Sequence, residues 1–212
     1  RDQSKIDEIV DHMNTVSQVT VLDVDPGFDT NRTVVTLVGS TEAIGEAAFK
    51  GIKRASELLD MSQHSGTHPR MGATDVCPFI PISGVSDDEC IELSKQVGKR
   101  VGDELDIPVY LYEKSAQSTE RVKLPDIRKG EYEGLAEKLA DPDWKPDFGP
   151  AELHVKGGAT VMGCRDFLIA YNINLNTRDH RLATDIAFEL REAGRSKRIP
   201  NPKSKNLLDG EI

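Results

Sequence analysis

Residues 64–81 read HSGTHPRMGATDVCPFIP. The second half of this stretch leads into Val76–Ile82, a short apolar run that predicts a buried strand. The first half is polar, and Pro69 and Gly72 disfavour an ordinary helix. It also places the imidazole of His68 close to a guanidinium. Because ligands in open α/β folds bind at strand ends, we predict that this stretch is an active-site loop.

The segments on either side alternate between helices and strands, judged by the spacing of their apolar residues. The predicted helices are Ser4–Thr15, Thr41–Met61, a helix from a capping box at Ser86 to Leu105, two short helices at Pro125–Lys129 and Tyr132–Leu139, and a helix through Leu182–Leu190 that ends at Gly194. The other predicted strands are Val19–Asp25, Thr33–Gly39, Pro108–Glu113 and Phe167–Leu175. This order predicts an α+β fold of ferredoxin-like type, with a mixed or antiparallel sheet and helices mainly on one face.

The composition argues against several classes of protein. The chain has 212 residues and a formal net charge of −9, with no basic stripe to displace counterions from nucleic-acid phosphates. No apolar run approaches the roughly 20 residues that cross a bilayer, and no signal-peptide pattern is found. The three cysteines form no CxxC pair, which is typical of reduced thiols in the cytosol. We therefore expect a cytoplasmic protein without nucleic-acid or membrane partners.

Candidate catalytic residues lie in and near the predicted loop. His68 is suited to proton transfer, Arg70 to binding an anion, and Asp25 to orienting a histidine or holding a proton. Asp25 ends a predicted strand, and strand alternation predicts Leu22 and Val24 on the opposite face. Structural interpretations stay open as well: His68 as a surface or core histidine, Asp25 as a turn-forming aspartate, and Arg32 as a surface cation.

Two further patterns give weaker indications. His64 and His68, with Asp75 and Cys77 nearby, resemble a set of metal ligands, but a glycine and a proline interrupt the helix that this spacing requires. We therefore predict no metal site. The segment KGGATVMG at 156–163 matches neither the dinucleotide nor the P-loop pattern. It predicts a rigid loop whose backbone other atoms can approach closely, so that a flat ring can pack against it.

Several longer motifs are spread along the chain. They are HPRMGA at 68–73, DVCPFIP at 75–81, PVYLY at 108–112, PDFGP at 146–150 and NIN at 172–174. The shorter motifs LDVD at 22–25, NRT at 31–33 and DMS at 60–62 accompany them. Through these motifs the chain closely resembles the glutamate formiminotransferase family, from about residue 19 to residue 194.

The resemblance implies a reaction and a site. Members of this family transfer a formimino group from N-formiminoglutamate to N5 of tetrahydrofolate, a late step of histidine degradation. The family's catalytic histidine falls on His68, and Asp25 and Arg70 match other positions of its site. Its folate-binding stretch falls on Gly149, Pro150, Ala151, Glu152, Leu153, His154, Val155, Lys156, Gly157 and Gly158. The implied co-substrate is tetrahydrofolate.

We expect His68 to act as the general acid and base of this transfer. It would take a proton from the attacking nitrogen and return one to the departing nitrogen. Asp25 is expected to orient the imidazole or stabilise its charged form. Arg70, with Arg32, is expected to pair with the carboxylates of the glutamate.

The resemblance also implies two similar α/β subdomains with the folate between them, commonly in a homodimer. Residues 1–194 are expected to form the N-terminal subdomain, and residues 195–212 a linker toward a C-terminal subdomain that this chain lacks. The chain is therefore expected to be a fragment of a longer polypeptide. Two alternatives stay open: a catalytically silent folate-binding module, and a formyl-group transferase on the same scaffold.

Overall fold

The computed structural model describes residues 2–169 and 173–190. The backbone divides into two compact units, one ending at Phe167 and one beginning at Leu168. The helices of the first unit are α1 (Gln3–Asn14), α2 (Thr41–Leu58), α3 (Asp87–Leu105), α4 (Leu124–Arg128) and α5 (Leu135–Ala140). Its strands are β1 (Val19–Gly27), β2 (Arg32–Gly39), β3 (Val76–Phe79), β4 (Val109–Leu111) and β5 (Thr160–Cys164). The second unit contributes α6 (His180–Leu190).

Most of the predicted elements are present, with ends that differ by a few residues. Helix α3 begins at the predicted capping box, where the Ser86 hydroxyl accepts from the amide of Glu89 and the Glu89 carboxylate accepts from the amide of Ser86. Helix α2 ends before Met61, because the backbone is already extended at Leu59. The predicted end of the last helix, Gly194, lies outside the described residues.

Strands β1 and β2 form an antiparallel hairpin, as predicted. A β-bulge shifts their register between Val21 and Asp23, so that Leu22 has no partner on β2. Leu22 is 61% exposed, and the neighbouring aspartates are exposed with it, whereas Val24 is half-buried. The prediction that Leu22 shares a face with Val24, opposite Asp25, is therefore wrong, because the bulge interrupts the alternation on which it rested.

Strands β3, β5 and β4 form a parallel sheet in that order. Helix α3 connects β3 to β4, and β5 lies between these two strands, which is the arrangement of a split βαβ unit. The last strand was expected at Phe167–Leu175. Among the described residues the last strand is instead Thr160–Cys164; residues 167–169 and 173–175 form no strand, and 170–172 lie outside the described part of the chain. Every residue of β5 is buried, so this central strand has no polar alternation that a sequence pattern would reveal.

Side chains of the parallel sheet alternate between two apolar cores. Val109 and Leu111 of β4 face the core that α2 and α3 cover. Tyr110, and Tyr112 just after the strand, face a second core that contains residues of α4 and α5. The two long helices thus pack on one face of the sheet, and the polar connection between β4 and β5 covers the other.

The fold is α+β, as predicted. Among the described residues, the antiparallel hairpin and the parallel strands form two separate sheets. Within that part of the chain, we find no helix of the length and apolar character needed to cross a membrane.

One carboxylate attaches the connection after α5 to the parallel sheet. Asp147 Oδ2 accepts a hydrogen bond from the amide of Leu111 at 2.8 Å, and its Oδ1 accepts one from Arg121 at 3.2 Å. The Arg121 guanidinium also lies 5.5 Å from the ring centroid of Tyr110 and 5.8 Å from that of Trp144. The side chains of Arg121 and Asp147 are 11% and 9% exposed. The pair is therefore sheltered from solvent on an aromatic surface.

We expect Asp147→Ala to lower the free energy of unfolding by about 3–5 kcal/mol, because it removes the carboxylate that a part-buried guanidinium and a strand amide share as acceptor. Urea denaturation measures this change. Asp143→Ala removes an exposed carboxylate of the same connection and should change the free energy by less than about 0.5 kcal/mol. Equal losses in the two variants would contradict this account of Asp147.

Candidate active site

The loop that carries His68 is attached to the turn of the β1–β2 hairpin. The amide and the hydroxyl of Thr67 both donate to the carbonyl of Asp29, at 3.2 and 3.0 Å. The side-chain amide of Asn31 donates to the carbonyl of Ser65 at 2.8 Å. Asn31 has a φ of 46°, in the left-handed region that asparagine tolerates better than most residues. The geometry of the turn therefore sets the position of the loop.

Both ring nitrogens of His68 have a partner. Nδ1 lies 2.7 Å from the carbonyl oxygen of Pro69, and Nε2 lies 2.7 Å from Nη1 of Arg32. A carbonyl only accepts and a guanidinium only donates, so these two contacts assign the ring proton to Nδ1 and the lone pair to Nε2, the neutral form. The residue is half-buried. An imidazole in this form presents the lone pair that a general base requires.

Asp25 lies on the exposed face of the hairpin. In the β-ladder Asp25 is opposite Val34, and Gly27 is opposite Arg32, so Asp25 and Arg32 are diagonal neighbours on one face. In the part of the chain that the structure describes, no hydrogen bond or ion pair joins Asp25 to His68. The structure therefore brings Asp25 to the face that carries the partner of His68, but not into contact with the ring.

Arg70 is held by two glutamates and is not directed at His68. Its guanidinium forms ion pairs with Glu133 at 2.6 Å and with Glu131 at 3.1 Å, and it donates to the carbonyl of His64 at 3.1 Å. The hydrogen bond with Glu133 raises the pKa of Arg70 and lowers that of Glu133. The Arg70 side chain is 13% exposed. Its charge is thus already balanced, which leaves Arg32 as the arginine that contacts the imidazole.

Glu131 and Glu133 are the site residues that the sequence reasoning missed. They lie more than sixty positions after Arg70 in the polar connection between β4 and β5. Glu131 adopts a φ of 55°, which is unusual for glutamate. No local pattern links such distant residues, and the unusual backbone angle is not visible in the sequence.

The carboxylate of Asp75 also has a structural role. It accepts a hydrogen bond from the amide of Met71 at 2.7 Å and forms a part-buried ion pair with Arg128 of α4. Asp75 therefore closes the turn between the His68 loop and β3. Its pairing with Arg128 leaves it poorly placed to act on a substrate.

The second half of the predicted folate-binding stretch packs on the segment that carries His68. Gly72 and Gly158 form an antiparallel bridge, and the amide of Ala73 donates to the carbonyl of Gly157 at 2.8 Å. A Cβ on Gly72 would lie 2.2 Å from the carbonyl oxygen of Ala159. Only glycine permits so close an approach of two backbones.

Residues 154–158 form a tight turn with two exposed side chains. The His154 Nδ1 accepts a hydrogen bond from the amide of Gly157 at 2.7 Å, so this histidine stabilises the turn itself. Val155 is 55% exposed and Lys156 is exposed, and the carbonyl of Lys156 accepts from the amide of Met61 at 3.0 Å. The turn thus contacts Met61, just after the end of α2, and presents an apolar and a cationic side chain to solvent.

The first half of the stretch lies elsewhere. Gly149, with a φ of 79°, packs against the backbone of Gly102 and Ile107 at the end of α3. Ala151 and Glu152 are exposed. Of the residues predicted to bind folate, the structure therefore brings 154–158, and not 149–152, against the segment that bears His68.

A cysteine nucleophile is not favoured. Cys77 is the cysteine closest to the loop in sequence, and burial of its thiol raises its pKa to about 12. A thiol with so high a pKa is almost entirely protonated near neutral pH and reacts slowly. Within residues 2–169 and 173–190, no group of three or more His, Cys, Asp or Glu side chains is arranged to hold a metal ion. The prediction that the protein uses no metal stays a prediction.

The sequence matches the model of the formiminotransferase domain, N-terminal subdomain, over residues 1–165. The chain belongs to the formiminotransferase family. Its relatives include the formimidoyltransferase-cyclodeaminases of Dictyostelium discoideum, 49% identical over 94% of this chain, and of Rattus norvegicus, 50% identical over 96%. The glutamate formimidoyltransferase of Streptococcus pyogenes serotype M1 is 47% identical over 92% of the chain. The family predicted from the sequence motifs is confirmed.

The chain is shorter than these formiminotransferase relatives. It spans 37% of the length of the Dictyostelium and rat proteins and 65% of the Streptococcus protein. The match to the N-terminal subdomain ends at residue 165, close to the boundary between the two compact units. The predicted extension of this subdomain to residue 194, and the linker at 195–212, stay predictions.

The close approach at Gly158 can be tested against a matched glycine. Gly158 and Gly84 have similar φ values, 66° and 70°, but a Cβ on Gly158 would lie 2.1 Å from the carbonyl of Met71, whereas one on Gly84 would meet nothing within 4 Å. Gly84→Ala should cost about 1–2 kcal/mol from its backbone conformation alone. Gly158→Ala should cost clearly more, because the two backbones must separate. Thermal and urea unfolding of both variants measure the difference, and equal costs would show that the approach at Gly158 carries no extra free energy.

Proposed function

We propose that this chain forms the N-terminal part of a glutamate formimidoyltransferase site. The reaction is transfer of the formimino group from N-formiminoglutamate to N5 of tetrahydrofolate, which gives 5-formiminotetrahydrofolate and glutamate. Membership of the family and the activity for which its relatives are named support the reaction type. The observation that carries the proposal is the neutral His68 ring with its lone pair on Nε2, at a face that also bears Arg32 and Asp25.

The reaction moves one proton from the attacking nitrogen to the departing nitrogen. N5 of the reduced folate attacks the formimino carbon and forms a tetrahedral adduct, after which the bond from that carbon to the glutamate nitrogen breaks. N5 loses a proton, and the departing glutamate gains one as it leaves as an amine. His68 Nε2 takes the first proton and returns it to the leaving nitrogen. General acid–base catalysis of this kind contributes about 10² to 10⁴ in rate.

The other predicted site residues receive different roles in this proposal. Asp25 does not bond to the imidazole, because Nδ1 of His68 already donates to the carbonyl of Pro69. Its negative charge acts instead from the hairpin face that it shares with Arg32. Arg70 positions the loop through Glu131 and Glu133. Residues 154–158 form part of the folate site, with Val155 and Lys156 offering the pterin or its glutamate tail an apolar and a cationic contact. A second transferase subdomain, a homodimer and a cytoplasmic location are expected as well.

His68→Asn tests the general acid and base. We expect kcat for formimino transfer to fall about 10² to 10⁴-fold, with the affinity for tetrahydrofolate nearly unchanged. The measurement is steady-state kinetics on the full-length protein, with folate binding followed by calorimetry. His12→Asn changes an exposed histidine of α1 and should leave turnover as it is. Wild-type turnover in His68→Asn would refute the assignment.

Folate binding by the wild type without any transfer would favour a silent binding module, and faster transfer from formylglutamate would favour a formyl donor.

The role of Arg70 is tested by releasing it from its glutamates. In a Glu131→Gln/Glu133→Gln variant, the guanidinium keeps its charge but loses the partners that hold the loop. If Arg70 positions the loop, kcat falls by up to about 100-fold while KM for the donor stays the same. If Arg70 instead binds the donor carboxylate, its release lowers KM for the donor. Steady-state kinetics with N-formiminoglutamate distinguish the two results, and a lower KM would overturn the positioning role.

A further inference from the structure

We infer that Arg32 caps the catalytic lone pair of His68 in the free protein, and that a carboxylate of the donor removes the cap. This inference rests on the proposed function, since it concerns the base of that reaction. It assigns Arg32 a role in specificity: a donor without a carboxylate in reach would leave the base blocked. The molecule that displaces Arg32 from His68 is thus an amidine donor that carries at least one carboxylate.

The first step of the argument is the state of the imidazole. Nδ1 of His68 donates to the carbonyl of Pro69, which belongs to the next residue and remains beside the ring as long as the loop keeps its conformation. Nε2 is therefore the one ring nitrogen with a lone pair, and Nη1 of Arg32 lies on it at 2.7 Å. A base whose lone pair accepts from a permanent cation takes no proton until that cation moves away.

The second step is the environment of Arg32. Its side chain is exposed, and the residue opposite it on β1 is Gly27, which has no side chain to restrain the guanidinium. Among the described residues, the hydrogen bond found for the Arg32 guanidinium is the one to His68. Arg70, by contrast, has two carboxylates and a carbonyl within hydrogen-bond distance. Arg32 is thus the arginine of this site that is free to accept an anion.

The third step compares the two possible acceptors. A carboxylate receives two parallel hydrogen bonds from a guanidinium and carries the opposite charge, whereas a neutral imidazole receives one and carries none. A donor carboxylate that enters this face therefore displaces the imidazole from Arg32. The same event binds the donor and frees Nε2 of His68, and so couples recognition of the substrate to activation of the base.

A first experiment observes the ring directly and needs no turnover. In ¹⁵N-labelled wild-type protein, long-range ¹⁵N–¹H correlation spectra should show His68 with its proton on Nδ1 and a hydrogen-bonded Nε2. Saturation with L-glutamate, which carries the carboxylates of the donor, should move the Nε2 resonance toward that of an unbonded lone pair. In Arg32→Ala, the Nε2 resonance should already lie near the shift of an unbonded lone pair before glutamate is added, and glutamate should not move it. A wild-type Nε2 resonance that glutamate leaves unchanged would overturn the inference.

A second experiment compares donors with and without carboxylates. For N-formiminoglutamate, Arg32→Ala should lower kcat/KM about 10- to 100-fold, because a charge-assisted contact is lost. For N-methylformamidine, which has no carboxylate, the same variant should keep or raise kcat, because the base is no longer capped. Arg32→Lys should recover part of the selectivity, and Lys99→Gln, which removes an exposed charge on α3, should match the wild type for both donors.

The outcomes separate the two proposals. Equal losses for both donors in Arg32→Ala would mean that Arg32 only supports the structure, and the inference would fail. If the wild type transfers nothing from N-formiminoglutamate, the proposed function fails, while the spectra still report whether a carboxylate uncaps His68.

Discussion

The close contact between two backbones at Gly72 and Gly158 determines how this site is assembled. The segment before β3 carries His68, and the turn before β5 carries the second half of the predicted folate-binding stretch. These two segments meet where a Cβ would lie 2.2 Å from one carbonyl oxygen and 2.1 Å from another. Because β3 and β5 are adjacent in the parallel sheet, the residues just before them must also converge. The sheet therefore brings the two parts of the site together, and the glycines let them touch.

The arginines of the site illustrate how partners, more than residue type, determine a role. Arg70 and Arg32 are both near His68 in the fold, and either would be a reasonable anion-binding residue from sequence alone. Arg70 is bound by two carboxylates, so its charge contributes to the stability of the loop. Arg32 is bound by a neutral ring, so its charge remains available. A charge that the protein's own side chains have not balanced is one that an anion can still pair with.

The sequence predicted local features well and long-range ones poorly. The capping box of α3, the hairpin and the family motifs depend on neighbouring residues, and each was confirmed. The bulge at Leu22 was missed because it depends on how β1 pairs with β2. Strand β5 was taken for part of a loop because Gly157 and Gly158 precede it and Gly163 lies within it, and because a strand that is buried on both faces shows no polar alternation. The sequence placed the guanidinium of Arg70 beside His68, whereas in the structure the guanidinium that contacts the ring belongs to Arg32 of β2. Contacts between distant segments decide these points, and no spacing along the chain encodes them.

The two hydrogen bonds of His68 differ in how far along the chain the partner lies, and this difference suits a proton shuttle. The bond from Nδ1 goes to the adjacent residue, Pro69, and depends only on the local conformation that the proline restricts. It fixes the tautomer even if surrounding elements shift. The bond at Nε2 comes from another strand and depends on how the loop lies against the hairpin. An imidazole that exchanges a proton at Nε2 needs a permanent hydrogen bond at Nδ1. Its hydrogen bond at Nε2, by contrast, must break when the substrate arrives. The local bond provides the first condition, and the long-range bond provides the second.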